Sequence, residues 1–123
     1  MVAWNQKHNN NLIFFRVSLN ILNTPNMVIS DGNARSKRTQ FRIFTQIKDL
    51  DILEPSAINT VRYASNEERK RKKQAEILVP DFLNFSKVLD IICYSEQTQD
   101  LIVKLLGQFG IKRPVRVNPG WYF

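Results

Sequence analysis

The order of the predicted elements along the chain indicates an α+β or α/β fold, in which strands and helices are interleaved and joined by short connections. A length of 123 residues allows one hydrophobic core. Apolar residues form 43% of the sequence, and glycine and proline are few, so a disordered or fibrous protein is excluded. We therefore expect residues 1–123 to fold as one domain.

Runs of bulky and β-branched residues predict the strands. The first run, NLIFFRV at residues 11–17, follows a polar lead. Further strands are predicted at residues 26–30, 75–79, 88–94 and 115–117. The last of them is expected at a sheet edge because Pro114 precedes it. Residues 18–23 are expected to form a short helical turn that ends before Pro25.

Apolar residues three and four positions apart predict the helices. The clearest helix is predicted at residues 95–110, which begin with a capping serine and end with glycine. A second helix is predicted at residues 34–47, because Phe41, Phe44 and Ile47 recur every three residues. On its outer side this helix would carry a stripe of three arginines, Arg35, Arg38 and Arg42.

The cysteine and histidine content excludes several kinds of site. Cys93 is the only cysteine and His8 the only histidine, so no internal disulfide can form and a reducing compartment is expected. Cys93 lies in the apolar run LDIICY and is expected to be a buried thiol rather than a nucleophile. The ligands for a zinc site are too few. Since no apolar run of about 18 residues and no signal peptide is found, we expect a cytoplasmic protein without a membrane partner.

The net charge of +7 favours a polyanionic partner such as nucleic acid. The densest positive segment is RKRKK, which consists of Arg69, Lys70, Arg71, Lys72 and Lys73. Residues 65–74 are polar throughout and are expected to form an exposed helix or a mobile loop. This run and the arginine stripe are the candidate contacts to a DNA backbone, and a solvated surface is the alternative interpretation.

Gln74 and Glu76 follow the basic run and are the candidate reactive residues. Side chains two positions apart on a strand share a face, so we expect the two to act together. A carboxylate in a cleft can accept a hydrogen bond from a sugar hydroxyl and stabilise an oxocarbenium-like centre, as in glycosyl transfer. An amide two residues earlier can hold the acceptor. The alternative is an edge-strand carboxylate that faces water and is neutralised by Lys72 or Lys73.

Four stretches extend over nearly the whole chain in a specific order. They are SDGNA at residues 30–34, VRY at 61–63, KRKKQAEILVP at 70–80 and PVRVNPGWYF at 114–123. Together they resemble the DarT family of DNA ADP-ribosyltransferases, the toxins of toxin–antitoxin systems. The resemblance implies an ADP-ribosyltransferase-like α+β fold with an NAD⁺-binding cleft between two small sheets. It also implies transfer of ADP-ribose from NAD⁺ to a base in single-stranded DNA, and a DarG-type antitoxin as partner.

The resemblance further implies roles for individual residues. Glu76 falls on the catalytic glutamate of the family's Q-A-E segment, and Gln74 matches the position that contacts the acceptor. The cations at residues 69–73 would hold the DNA backbone beside this acid. Arg62 and Tyr63 are also expected to contact DNA, the tyrosine by stacking on an unpaired base. No residue is assigned to binding NAD⁺.

The resemblance covers about the C-terminal half of a family member. We therefore expect the N-terminal part, which supplies most of the NAD⁺ pocket, to lie outside these 123 residues, and catalysis to depend on it. Two alternatives stay open. One is a non-catalytic remnant that binds nucleic acid, and the other is a basic interaction protein whose cations serve solubility or an acidic partner.

Overall fold

The computed structural model describes residues 8–59 and 66–122. Within these ranges the strands are β1 Phe14–Val17, β2 Val28–Ser30, β3 Phe41–Ile43, β4 Glu76–Leu78, β5 Val88–Cys93 and β6 Val115–Val117. The α-helices are α1 Pro55–Ile58, α2 Glu67–Lys73 and α3 Glu96–Gln108. Short 3₁₀-helices lie at Leu19–Asn23, Ile47–Ile52, Phe85–Lys87 and Pro119–Tyr122. The mixture of helices and small sheets confirms the predicted α+β class.

The chain divides into two compact units, the first formed by Met1–Ile21 with Asn84–Phe123 and the second by Leu22–Leu83. In the first unit β5 lies between β1 and β6, antiparallel to β1 and parallel to β6. β6 is therefore an edge strand, which confirms the expectation drawn from Pro114.

Helix α3 packs against this sheet. Its residue Ile102 joins the core cluster that includes Cys93 of β5. The Ser95 hydroxyl caps the helix by accepting a hydrogen bond from the backbone N–H three residues on, at 3.3 Å. Beyond the helix, Gly110 takes a φ of 65°, a left-handed conformation that glycine adopts without strain. Both predicted ends of this helix are confirmed, as is the burial of Cys93, which raises the pKa of its thiol.

In the second unit β2 lies between β3 and β4 and is antiparallel to both. Ile29 at the centre of β2 is fully buried, and so is Met27 just before the strand. The register places Ser30 opposite Phe41 on one side and opposite Glu76 on the other. β4 is thus an edge strand, and Glu76 is its first residue.

The predicted helix over residues 34–47 is wrong. Residues 31–40 form a loop, and β3 and the 3₁₀-helix Ile47–Ile52 follow it. The loop is closed at its base, where Asp31 N donates to Gln40 O at 3.1 Å and Gln40 N donates to Asp31 Oδ1 at 2.9 Å. Because these bonds and the pairing of β3 with β2 satisfy the backbone, they outweigh the helical spacing of three apolar residues. Arg35, Arg38 and Arg42 therefore do not share a helix face.

Helix α2 shows that the polar segment before β4 is a helix rather than a loop. Asn66 caps it, with Oδ1 accepting from Glu68 N at 2.8 Å. Its first turn is acidic and its last turn basic, which complements the helix dipole at both ends.

In the described ranges no helix is long and apolar enough to cross a bilayer.

Candidate active site and nucleic-acid groove

Glu76 is anchored by its backbone while its side chain is exposed. Its N–H donates to Ser30 Oγ at 3.1 Å, and the Ser30 hydroxyl donates to Gly32 O at 2.9 Å. Lys72 pairs with Glu54 instead of neutralising Glu76. Among the described residues, the Glu76 carboxylate has neither an ion pair nor a side-chain hydrogen bond. The carboxylate is thus fixed at the edge of the sheet and available to a ligand.

Gln74 does not lie on a strand, so the expectation that it shares a strand face with Glu76 is wrong. It follows α2 as its C-cap, with φ −96° and ψ 25°, and β4 begins only at Glu76. The strand alternation used for the prediction therefore does not extend back to Gln74. Its side chain is placed by another contact, since Oε1 accepts a hydrogen bond from Asn33 Nδ2 at 2.6 Å.

A polar groove of about 550 Å³ lies between the 31–40 loop and α2. Several predicted site residues line it together: Arg35, Arg38, Lys70, Arg71 and Gln74. Two carboxylates, those of Glu67 and Glu68, also line it. The excess of cations suits a phosphate backbone, and Gln74 stands at the same surface. The structure thus brings the candidate acceptor residue and four candidate DNA-binding residues to one place.

Arg71 is the buried member of the basic run, with a side chain only 9% exposed. Its guanidinium donates to Asp31 at 2.7 Å, to Glu68 at 2.6 Å and to the Thr39 hydroxyl at 3.2 Å. The hydrogen bond from Arg71 is the main reason why the pKa of Asp31 lies below its ordinary value. The pKa of Glu68 is lowered in the same way. Arg71 therefore links α2 to the 31–40 loop from within.

The other cations of the basic run differ in their exposure and contacts. Lys70 pairs with Glu67 at 3.0 Å, and because their side chains are 38% and 81% exposed, the pair adds little stability. Lys73 Nζ donates to Ile58 O at 3.3 Å. Arg69 is exposed. Part of the positive charge that suggested a DNA contact is therefore engaged inside the second unit.

Three further candidate DNA-binding residues are Arg42, Arg62 and Tyr63. Arg42 lies on β3 and pairs with Asp51 at 2.6 Å. It is not among the described residues that line the groove. Arg62 and Tyr63 lie outside the described residues. Their roles stay predictions.

The 31–40 loop contains residues that contact the candidate site residues and that the sequence analysis did not single out. Asn33 contacts Gln74, and Asp31 and Thr39 contact Arg71. The motif SDGNA offered a signal, because Asp, Gly and Asn are typical of turns. Gly32 is required by close packing, since a Cβ there would lie 2.6 Å from Arg71 Nη1 and 2.7 Å from Arg71 O.

The sequence matches a family model over residues 1–123, and that model is described as "DarT: ssDNA thymidine ADP-ribosyltransferase, DarT". A curated "DNA ADP-ribosyl transferase" of Thermus sp. (strain 2.9) is 33% identical over 84 residues. The matched part is 67% of this chain and 40% of that protein. The chain therefore spans less than half the length of this relative.

Solved structures give the same result for the fold. Thermus sp. 2.9 DarT in complex with NAD⁺ is 26% identical with a TM-score of 0.81, over 90% of this chain and 57% of that one. The same protein in complex with ADP-ribosylated ssDNA is 27% identical with a TM-score of 0.80, over 90% of this chain and 54% of that one. Thermosipho africanus DarTG in complex with ADP-ribose is similar in fold alone, because it is 23% identical. Its TM-score is 0.80, and the match covers 99% of this chain and 32% of that one. These similarities confirm the predicted fold and the resemblance on which it rested.

Proposed function

Because this chain belongs to the DarT family, we propose that it takes part in NAD⁺-dependent ADP-ribosylation of a thymidine base in single-stranded DNA. One solved relative, Thermus sp. 2.9 DarT, is described in complex with NAD⁺ and in complex with ADP-ribosylated ssDNA. The chain spans 57% and 54% of those two solved chains. We therefore propose that these 123 residues work together with further residues that complete the NAD⁺ site.

The observation that carries this proposal is the placement of Glu76. Its carboxylate is open to a ligand at the start of an edge strand, two residues after Gln74 of the polar groove. In the reaction the bond between ribose C1′ and nicotinamide breaks, and its electron pair leaves with nicotinamide. Positive charge then develops on the ribose, where a carboxylate that accepts a hydrogen bond from a ribose hydroxyl stabilises it. The attacking base atom forms the new bond to C1′, and the base loses a proton.

The groove is the proposed DNA site. Arg35, Arg38 and Lys70 would contact backbone phosphates, which fix the strand without reading its sequence. Gln74 would contact the acceptor base. The other residues that remain candidates for contacts with the DNA backbone or bases are Arg42, Arg62, Tyr63, Arg69, Arg71, Lys72 and Lys73. The buried position of Arg71 favours an indirect role through the loop.

A toxin role with a DarG-type antitoxin as partner is the biological setting that we propose from family membership. Expression of the active protein in bacteria should then arrest growth, and co-expression of a cognate antitoxin should restore it. Growth unaffected by a protein that modifies DNA in vitro would argue against this setting.

The test of the proposed activity is a transfer assay with the full-length protein and NAD⁺ labelled in its adenylate part. A single-stranded oligonucleotide that contains thymidine should become labelled, and a matched strand with cytidine at those positions should be labelled much more slowly. Stoichiometric DNA binding without any labelling would favour the non-catalytic alternative. The absence of both would favour a basic interaction protein.

A further inference from the structure

Asn33 uses each of its polar groups within the second unit. Its backbone N–H donates to Arg71 O at 2.9 Å, and its carbonyl accepts from the Thr39 hydroxyl at 2.6 Å. In the side chain, Oδ1 accepts from Arg35 N at 2.9 Å and Nδ2 donates to Gln74 Oε1 at 2.6 Å. The residue therefore joins the 31–40 loop to the end of α2 through a fully bonded network.

These contacts determine the orientation of both amides. A backbone N–H only donates, so the side-chain atom of Asn33 that meets Arg35 N must be the oxygen. The other side-chain atom is then the amino group, which also only donates, and the atom of Gln74 that meets it must be Oε1. The amino group of Gln74 is left over, and no described residue accepts a hydrogen bond from it.

The position of the network is fixed by buried neighbours. Arg71, which receives the Asn33 backbone bond, is itself held by Asp31 and Glu68. Gly32 permits the close approach, because any side chain there would collide with Arg71. Rigid support of this kind is what holds a contacting side chain in one orientation before a ligand arrives.

We propose that Asn33 is a specificity-determining residue, which orients the Gln74 amide so that it offers N–H donors to a carbonyl of the acceptor base. Thymine carries a carbonyl where cytosine carries an amino group, so a donor at this position favours thymine. The proposal rests on the proposed function and adds to it the residues that select thymine over cytosine. Asn33 acts here through Gln74 and need not touch the substrate.

The test replaces the donor of Asn33 by an acceptor of the same shape. In Asn33→Asp one oxygen still accepts from Arg35 N, while the other oxygen faces Gln74 and draws the Gln74 amino group towards itself. The groove is then left with Oε1, an acceptor. We expect the preference for thymidine over cytidine strands, measured as the ratio of kcat/KM values for ADP-ribosyl transfer, to fall about tenfold or more.

Asn84→Asp is the matched control. Asn84 caps a 3₁₀-helix of the first unit with its side-chain oxygen, which accepts from Ser86 N at 2.9 Å. The substitution adds the same charge and keeps that acceptor, so the base preference should stay at the wild-type value. Using a ratio of two DNA strands also cancels the general loss of DNA affinity that a new negative charge causes.

A second variant keeps the test valid if Asn33→Asp does not fold. Gln74→Glu retains the bond from Asn33 Nδ2 and leaves only a carboxylate oxygen for the base, so it should lose the same preference. An unchanged ratio in either folded variant would overturn this inference while the proposed function stands. Absence of transfer by the wild-type protein would instead overturn the proposed function, and the inference with it.

Discussion

At the scale of single residues, Arg71 shows how burial changes the role that a sequence suggests. In the sequence it is the central cation of RKRKK and a candidate DNA contact. In the fold it is buried and bonded to Glu68, three residues before it, and to Asp31, 40 residues before it. The first partner follows helical spacing, but the second depends on tertiary structure and has no local signal. The family resemblance, in contrast, was enough to select Glu76 as the candidate acid.

Asp31→Asn is expected to destabilise the protein by about 1–3 kcal/mol at neutral pH, because Arg71 then keeps only one carboxylate partner. The hydrogen bond from Arg71 lowers the pKa of Asp31 from its ordinary 3.8, so the ionised form stabilises the fold at pH values above 3.8. That contribution is lost as the pH falls through the lower folded value. The difference between wild type and variant should therefore shrink below a pH of about 4.

Urea denaturation at neutral and acidic pH measures this difference. Asp100→Asn, at an exposed position on α3, is the matched control and should behave as the wild type. A destabilisation of Asp31→Asn that is equally large at both pH values would contradict the ionic origin of the effect.

At the scale of elements, some helices and strands are indicated by their own local sequence, and others are not. Helix α3 was predicted with both ends because its apolar periodicity lies within it, and its capping Ser95 and the terminating Gly110 lie directly beside it in the sequence. Strand β3 was missed because its hydrogen bonds go to β2, while its own sequence has the spacing of a helix. The position of Gln74 was missed for a related reason, since it depends on where α2 ends. The groove is built from the 31–40 loop, most of which was predicted to be helical, and from α2, for which the sequence left a helix and a loop open.

The salt dependence of DNA binding tests the groove. Each phosphate contact contributes roughly 0.7 to the slope of log affinity against log salt concentration for single strands. Replacing Arg35, Arg38 and Lys70 together by serine should therefore reduce the slope by about 2 and weaken binding to all sequences alike. Fluorescence polarisation of a labelled single strand across a salt series measures both effects.

The control removes the same charge elsewhere, with Lys87, Lys104 and Lys112 of the first unit replaced by serine. This triple variant should keep a slope close to that of the wild type. If the groove variant keeps its slope and loses tenfold or less in affinity, its cations form an ordinary solvated surface. The DNA proposal would then rest on family membership alone.

At the scale of the whole molecule, the chain matches only part of the length of its relatives, and its fold corresponds to that part. Following the proposal that further residues complete the NAD⁺ site, the 123 residues alone are expected not to release nicotinamide. Half a pocket would leave parts of NAD⁺ without protein contacts. The assay incubates the purified chain with NAD⁺ and a thymidine-containing strand and measures the nicotinamide released. Release that depends on DNA would show that these residues suffice.

The central claim is that Glu76 is the catalytic carboxylate of ADP-ribosyl transfer, and a single substitution in the full-length protein tests it most directly. Glu76→Gln keeps the shape of the side chain and removes its charge, with Glu96→Gln on the exposed first turn of α3 as the matched control. We predict that the Glu76 variant transfers ADP-ribose to a thymidine strand about 10²–10³-fold more slowly than wild type, with an unchanged melting temperature, and that the control is fully active. A folded Glu76→Gln variant that transfers at nearly the wild-type rate would contradict the account.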